Sequence, residues 1–174
     1  MSSPTVRIMT PSDIPQFRRM MATHSAFEGM PDMALTEADL HARAFGQNPE
    51  YGCFVGDAGG ARGLAGFASH YDIPFKNDRR PTLVLKNLWI DPDYRGSGLA
   101  RRLMIAVAKR AIAGGYGRIR WSVLPENDRA IAFYRGLGAK PDAKWVPWLM
   151  DEAAFTRLGQ ECDRPTGLPD PAPL

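Results

Sequence analysis

Residues 83–104 constrain this chain more than any other stretch. An apolar run from Leu83 to Ile90 meets Asp91-Pro92-Asp93. Proline has no amide donor, so a central strand cannot continue through it. Arg95-Gly96-Ser97-Gly98-Leu99-Ala100 comes next, and an amphipathic helix follows at once. A strand that feeds a glycine-rich turn and a helix start builds an anion site. The first helical turn has N–H groups without intrahelical partners and the positive end of the dipole. Glycines let the backbone come close to a phosphate. The stretch predicts a phosphate-bearing cofactor. Taken alone, the same glycines also fit a tight turn that only opens a helix.

Two nucleotide motifs of this layout do not match. A P-loop carries lysine directly after its last glycine, whereas Leu99-Ala100-Arg101 follow Gly98. A dinucleotide fingerprint needs a small residue where Arg101 stands and an early place in a βαβ unit. Here the turn falls past the middle of 174 residues.

Hydrophobic periodicity places the other elements. Thr5–Met9 alternates as a first strand, and Ser12 or Asp13 caps a helix carrying Ile14, Phe17, Met20 and Met21. Thr36 starts a second helix with Leu40, Ala44 and Phe45 on one face. Tyr51–Gly56 and Leu64–Tyr71 read as a hairpin around Asp57-Ala58-Gly59-Gly60. Ile73–Pro81 is a polar loop, and Thr82–Ile90 is too apolar for an edge. The helix from Gly98 to Ala113 puts Leu99, Leu103, Val107 and Ala111 on one face. Ala100, Met104, Ala108 and Ile112 lie beside them, and Gly114-Gly115 is the stop. Arg118–Leu124 is a strand, and Asn127 opens a helix ending at Gly136-Leu137-Gly138. Trp145–Met150 is a late strand and Asp151–Leu158 a short helix. The order predicts an α/β (α+β) fold, a central mixed, mostly antiparallel sheet flanked by helices. It also predicts one domain over 1–158 and a disordered tail over 159–174, which is rich in Pro, Gly and Asp.

Composition bounds the function. Net charge is only +3, and no aromatic-interleaved basic stripe suggests single-stranded nucleic acid. No apolar run reaches the ~18–20 residues of a membrane span, and the first residues lack a signal-peptide core. Cys53 and Cys162 lack metal or redox spacing, so reduced thiols and a cytoplasmic location are expected. His24, His41 and His70 are scattered and read as surface or satisfied core residues, with no metal site.

Arg95-Gly96-Ser97-Gly98-Leu99-Ala100 resembles the Arg/Gln-x-x-Gly-x-Gly/Ala signature of the GNAT superfamily of acetyl-CoA-dependent N-acetyltransferases. Asn127-Asp128-Arg129-Ala130-Ile131-Ala132-Phe133-Tyr134, with Leu137-Gly138-Ala139 after it, is similar to the superfamily's second signature. The resemblance covers roughly residues 5–150. Ala26-Phe27-Glu28, Leu35 to Leu40, Phe45-Gly46, Pro49-Glu50-Tyr51, Phe67 to Tyr71 and the pair Trp145 and Trp148 look like the diamine (spermidine/spermine) acetyltransferase group.

The resemblance implies acetyl-CoA as cosubstrate and a GNAT-like fold. The pyrophosphate would lie on the backbone of Arg95, Gly96, Ser97, Gly98, Leu99, Ala100 and Arg101. The pantetheine arm would add to a splayed strand at Leu88, Trp89 and Ile90, by main-chain hydrogen bonding. Asn127 and Ala130 would lie along the cofactor, and Tyr134 would protonate the departing thiolate. Without the signature, Tyr134 reads as an aromatic residue of a helix core. Phe27, Glu28, Lys86, Asn87, Arg120 and Trp121 would face the acceptor. Relatives of this group pair as homodimers, with Trp145–Met150 as a strand that could cross to the partner.

One departure bears on the acceptor. The diamine group has Glu-Asp where this chain has Lys86-Asn87. A lysine repels a polycation and cannot act as a base while charged. A small amine carrying a carboxylate, such as an amino acid, fits Lys86 and Arg120 better. Glu28, Glu126 or a water remain open as the base. Cys53 has no paired histidine, so direct attack of the amine is expected rather than a covalent enzyme intermediate. A protein or peptide acceptor and a catalytically silent CoA-binding regulatory module are the alternatives.

Overall fold

Four alternating segments and one short one assemble into a five-stranded sheet whose strands lie side by side in chain order. The computed structural model describes residues 3–30, 34–74, 80–144 and 147–160. The chain divides into two compact units, Met1–Leu124 and Pro125–Leu174. The first holds β1 (Thr5–Ile8), α1 (Ile14–Phe27), α2 (Glu37–Phe45), β2 (Gly52–Asp57), β3 (Leu64–Ile73), β4 (Thr82–Ile90), α3 (Leu99–Ala113) and β5 (Arg118–Arg120). Neighbours from β1 to β4 pair antiparallel, and β4 pairs β5 in parallel across α3. The sheet is mixed and mostly antiparallel, as expected.

The strand period divides the core between two faces. On one, Val55, Phe67 and Trp89 pack with Ile14, Phe17 and Met20 of α1 and Leu40 of α2. On the other, Gly56 meets α3. A Cβ at Gly56 would come within 2.7 Å of the Leu99 side chain, so glycine there seats the first turn of α3 against the sheet. Leu99, Leu103, Met104, Val107 and Ala111 bury the facing stripe of α3. Ile112, expected beside that stripe, is 80 % exposed. It lies about 80° beyond Met104 at the helix's ~100° per residue, outside the covered arc.

Three helices end alike. Gly115 N–H reaches Ile112 O and Tyr116 N–H reaches Ala111 O at the end of α3. The same pair of bonds closes α1 around Gly29 and the helix Asp128–Gly136 around Gly138. This is the Schellman arrangement.

β5 stops at Arg120 rather than Leu124. It follows β4 only from Thr82 to Val84, just before β4 bulges. In the second unit, α4 (Asp128–Gly136) and α5 (Glu152–Gln160) are helical. The strand expected over 145–150 is not found in its described part. Pro147–Met150 carry no strand pairing, and Trp148 and Leu149 are 94 % and 92 % exposed. Pro147 removes the donor a ladder would need. Residues 145 and 146 lie outside the described residues. So do 75–79 of the expected polar loop, Cys162, and the expected tail from 161 onward.

Candidate active site

The site is built around a break in β4. Ser69 pairs with Asn87, but His70 pairs with Leu85, so Lys86 is an extra residue bulged out of the ladder. Bulges re-aim side chains next to binding sites. Regular alternation would send Lys86 and Asn87 to opposite faces; here both line the same cavity. On the other edge of β4, pairing to β5 ends at Val84. Lys86 to Ile90 therefore have no strand on that side among the described residues. The stretch offers backbone groups to an amide-bearing ligand, as a strand does to an added peptide.

The cavity is about 280 Å³. Phe17, Met21, Leu35 and Leu40 supply its apolar wall, and Ser69, Tyr71, Lys86 and Asn87 contribute from the sheet. Arg43, Glu50 and Tyr51 also line it. Tyr51 Oη donates to Leu40 O at 3.2 Å, and burial pushes its pKa up. Arg43 Nη1 donates to Glu50 Oε2 at 2.6 Å. That volume suits a small substrate, below the ~300–1,000 Å³ of pockets for drug-sized ligands.

A polar chain backs the cavity. Ser69 Oγ donates to Asn87 Oδ1 at 2.9 Å. Asn87 Nδ2 lies 3.5 Å from His24 Nδ1, and His24 Nε2 lies 3.5 Å from Glu28 Oε1. Asn87 has an N–H to give, so His24 Nδ1 is the acceptor and Nε2 carries the proton towards Glu28. Burial holds His24 below the ordinary imidazole value, against the pull of Glu28. The ring meets Trp89 edge-on at 5.3 Å, and Phe27 lies 5.7 Å from Trp89. Phe27, Glu28, Asn87 and Trp89 thus share one neighbourhood, joined by His24. Arg120 sits on β5 opposite Val84, with Trp121 next to it; neither lines this cavity.

The glycine turn leads into α3. Gly96 and Gly98 have φ of 80° and 77°, a region that a side chain penalises. Ser97 Oγ donates to Tyr94 O at 2.6 Å and Arg102 Nη1 to Ser97 O at 3.0 Å. No side chain caps α3. The N–H groups of Leu99, Ala100 and Arg101 therefore point out of the first turn without a built-in acceptor. Arg102 Nε and Nη2 are buried with no partner. This end of the helix is short of negative charge, and the residues present fit a pyrophosphate. Arg95 turns elsewhere: its guanidinium lies over Trp89 at 5.2 Å and Phe27 at 6.0 Å.

In the second unit, Asn127 Oδ1 accepts from Ala130 N–H at 3.1 Å and so caps α4. Asn127, Ala130 and Tyr134, spaced three and four residues apart, fall on one face of that helix. Burial pushes the Tyr134 phenol up to about 12. It keeps its proton through neutral pH.

Three contributors were missed in the sequence. His24 reads as core filler because its partner Asn87 is 63 residues away. The Arg43–Glu50 pair shows no spacing that marks a site. Cys53 is buried in the core, where desolvation drives its thiol well above the ordinary value; it is no nucleophile. Among the described residues, no group of three His, Cys, Asp or Glu could hold a metal ion, and no helix is long and apolar enough to cross a membrane.

The chain is 28 % identical over 155 residues to a thialysine N-epsilon-acetyltransferase of Sus scrofa, covering 85 % of this chain and 91 % of that one. It is 33 % identical over 81 residues to an L-2,4-diaminobutyric acid acetyltransferase of Methylotuvimicrobium alcaliphilum, covering 47 % and 45 %. An integron cassette protein from the mobile metagenome of V. cholerae shares the fold at a TM-score of 0.75, with 18 % identity over 92 % of this chain and all of that one. The model of the acetyltransferase (GNAT) family matches residues 17–139. A strand left open along one edge, an uncapped glycine-led helix and that match lead to one conclusion: this chain is an acyltransferase of the GNAT family.

Proposed function

We propose that this enzyme acetylates the side-chain amine of a small amino acid that carries its own carboxylate. The observation that carries this reading is the bulge that turns Lys86 into the 280 Å³ cavity beside Asn87. A cation at the acceptor cavity favours a carboxylate and opposes a polyamine. Two like charges 4 Å apart repel by about 1 kcal/mol in water and about 4 kcal/mol near a protein surface. Even the smaller value is roughly a fivefold preference. Two acetyltransferases similar to this chain are named for thialysine and diaminobutyric acid, both amines with a carboxylate.

Acetyl-CoA would supply the acetyl thioester and leave as the thiol. The turn from Arg95 to Arg101 and the Arg102 guanidinium hold the pyrophosphate, Leu88 to Ile90 give the pantetheine arm backbone partners, and Asn127 and Ala130 lie along the cofactor. The acceptor amine must be neutral to attack. Glu28, held by His24, is the carboxylate nearest Asn87 in that chain of contacts and takes the ammonium proton directly or through water. Tyr134 donates its phenolic proton to the leaving thiolate; its raised pKa keeps that proton in place. The working form is a homodimer, a reading supported by the group resemblance alone, in the cytoplasmic location expected from its reduced thiols.

A thiol-release assay tests this with acetyl-CoA and a panel of L-ornithine, L-lysine, putrescine, spermidine and an N-terminal peptide amine. Selective turnover of the amino acids, reduced about 100-fold or more in Tyr134→Phe, is the expected result. Peptide turnover alone would move the acceptor to proteins. CoA binding with no turnover would make the chain a regulatory module.

A further inference from the structure

We propose that Arg43 and Glu50 form a clamp for the zwitterionic head of the acceptor, holding the α-carboxylate and the α-ammonium of an amino acid whose side-chain amine is acetylated. The inference rests on the acceptor reading of the cavity given above and adds the residues that select within it.

Asn87 and the bulged Lys86 line the cavity from β4, one to four residues before Leu88 to Ile90, where the open edge of β4 runs. Arg43 from α2 and Glu50 from the segment leading into β2 line the same cavity. Their backbones are tied, because Glu50 N–H donates to Arg43 O at 2.7 Å. The side chains meet through one contact, Arg43 Nη1 to Glu50 Oε2. A guanidinium has five N–H groups and a carboxylate two oxygens, so each has capacity beyond that contact. The pair is half exposed, with side chains 47 % and 57 % exposed, so a ligand can reach both without breaking a buried pair.

The pair presents one positive and one negative group side by side, and an amino-acid head presents the complementary two. A diamine offers a cation to Glu50 but nothing to Arg43 or Lys86. An amino acid blocked at its α-nitrogen offers the carboxylate but no cation to Glu50. Each truncation leaves a charged group of the protein unmatched, which is how such sites discriminate. Lys86 lies in the same cavity and reinforces the preference for a carboxylate.

The test uses the full chain, acetyl-CoA and three acceptors: L-ornithine, putrescine as its decarboxylated counterpart, and ornithine acetylated on the α-nitrogen. Arg43→Gln should lower the kcat/KM ratio of ornithine to putrescine about tenfold. Glu50→Gln should lower the ratio of ornithine to the blocked ornithine by a similar factor. Both changes should appear in KM rather than kcat. Arg43→Lys, which keeps the charge, should restore part of the first ratio. Thermal melting of each variant checks that the fold persists, and ornithine binding by calorimetry reads the head directly if turnover is slow. Ratios within threefold of wild type in both variants would overturn the clamp and leave Arg43–Glu50 as a surface pair fastening α2 to β2. Wild-type chain that acetylates neither ornithine nor putrescine would overturn the acceptor reading, and the clamp with it.

Discussion

Helices α2 and α3 begin in opposite ways. At α2, Thr36 Oγ1 accepts the Asp39 N–H at 3.1 Å, and the Asp39 carboxylate accepts from Thr36 N–H at 2.9 Å. This capping box satisfies the helix end from within the chain. At α3 the cap position is Gly98, with φ of 77° and no side-chain acceptor. Both helices would be easier to form with caps, so the missing cap at α3 leaves the first turn for something other than folding. The neighbouring Arg102, with two buried donors unmet, points the same way. The contrast separates a helix start made for stability from one made for a ligand.

The largest effect that could break this contrast belongs to Gly98→Val. A β-branched residue is strained at positive φ, and its Cβ would stand 3.3 Å from Arg102 Nη1. The kcat/KM for acetyl-CoA should fall about 100-fold, the equivalent of about 2.7 kcal/mol. An unchanged value would reduce the turn to a plain helix start. Next comes Arg102→Gln, which removes the anchor on Ser97 O and the unmet donors. It should raise the KM for acetyl-CoA about tenfold with little change in the acceptor KM, a charge-assisted contact being lost; an unaltered KM would separate Arg102 from the cofactor. Thr36→Ala should do the reverse. Calorimetry or chemical denaturation should show about 1 kcal/mol of lost stability, while the KM for acetyl-CoA holds.

The smallest effect is one of pH. Hydrogen bonds from Thr36 hold the Asp39 carboxyl below its ordinary value. The start of α1 has a second such group: Arg7 bonds Asp13 at 2.7 Å and, despite burial, brings it down to about 2. A carboxylate whose pKa is lower in the folded chain binds fewer protons there than when unfolded. Its stabilisation is therefore present above about pH 4 and is lost as the pH falls towards 2. The melting temperature should drop across that window, and Asp13→Asn should flatten the drop. A slope unaltered by Asp13→Asn would remove the Arg7 pair from the account.

Periodicity made most of the scaffold legible. The stripe Leu99, Leu103, Val107 and Ala111 and the glycine stops after α3 and α4 follow from local spacing, and local spacing is what sequence records directly. The misses share a cause as well. Trp145–Met150 has the apolar content of a strand, but in its described part Pro147 lacks the donor that a ladder needs. Leu124 lies past the end of β5 because the bulge at Lys86 interrupts the neighbouring strand, and a bulge has no local signature when the extra residue is a lysine. The glycine turn was readable as an anion site because its geometry is local. The acceptor cavity was only half readable. Lys86 and Asn87 stood out against the group's usual Glu-Asp. His24, Ser69, Arg43 and Glu50 join them only through contacts between distant elements, such as the one linking Ser69 to Asn87 across 18 residues.

The central claim is that the acceptor carries a carboxylate which Lys86 favours. Its most direct test is the ratio of kcat/KM for L-ornithine to that for spermidine, measured by thiol release in the wild-type chain and in Lys86→Glu. The account predicts a ratio above one in wild type and a fall of at least tenfold in the variant, as a repelled polycation becomes an attracted one. Spermidine preferred by the wild-type enzyme, with the ratio unmoved by Lys86→Glu, would contradict it.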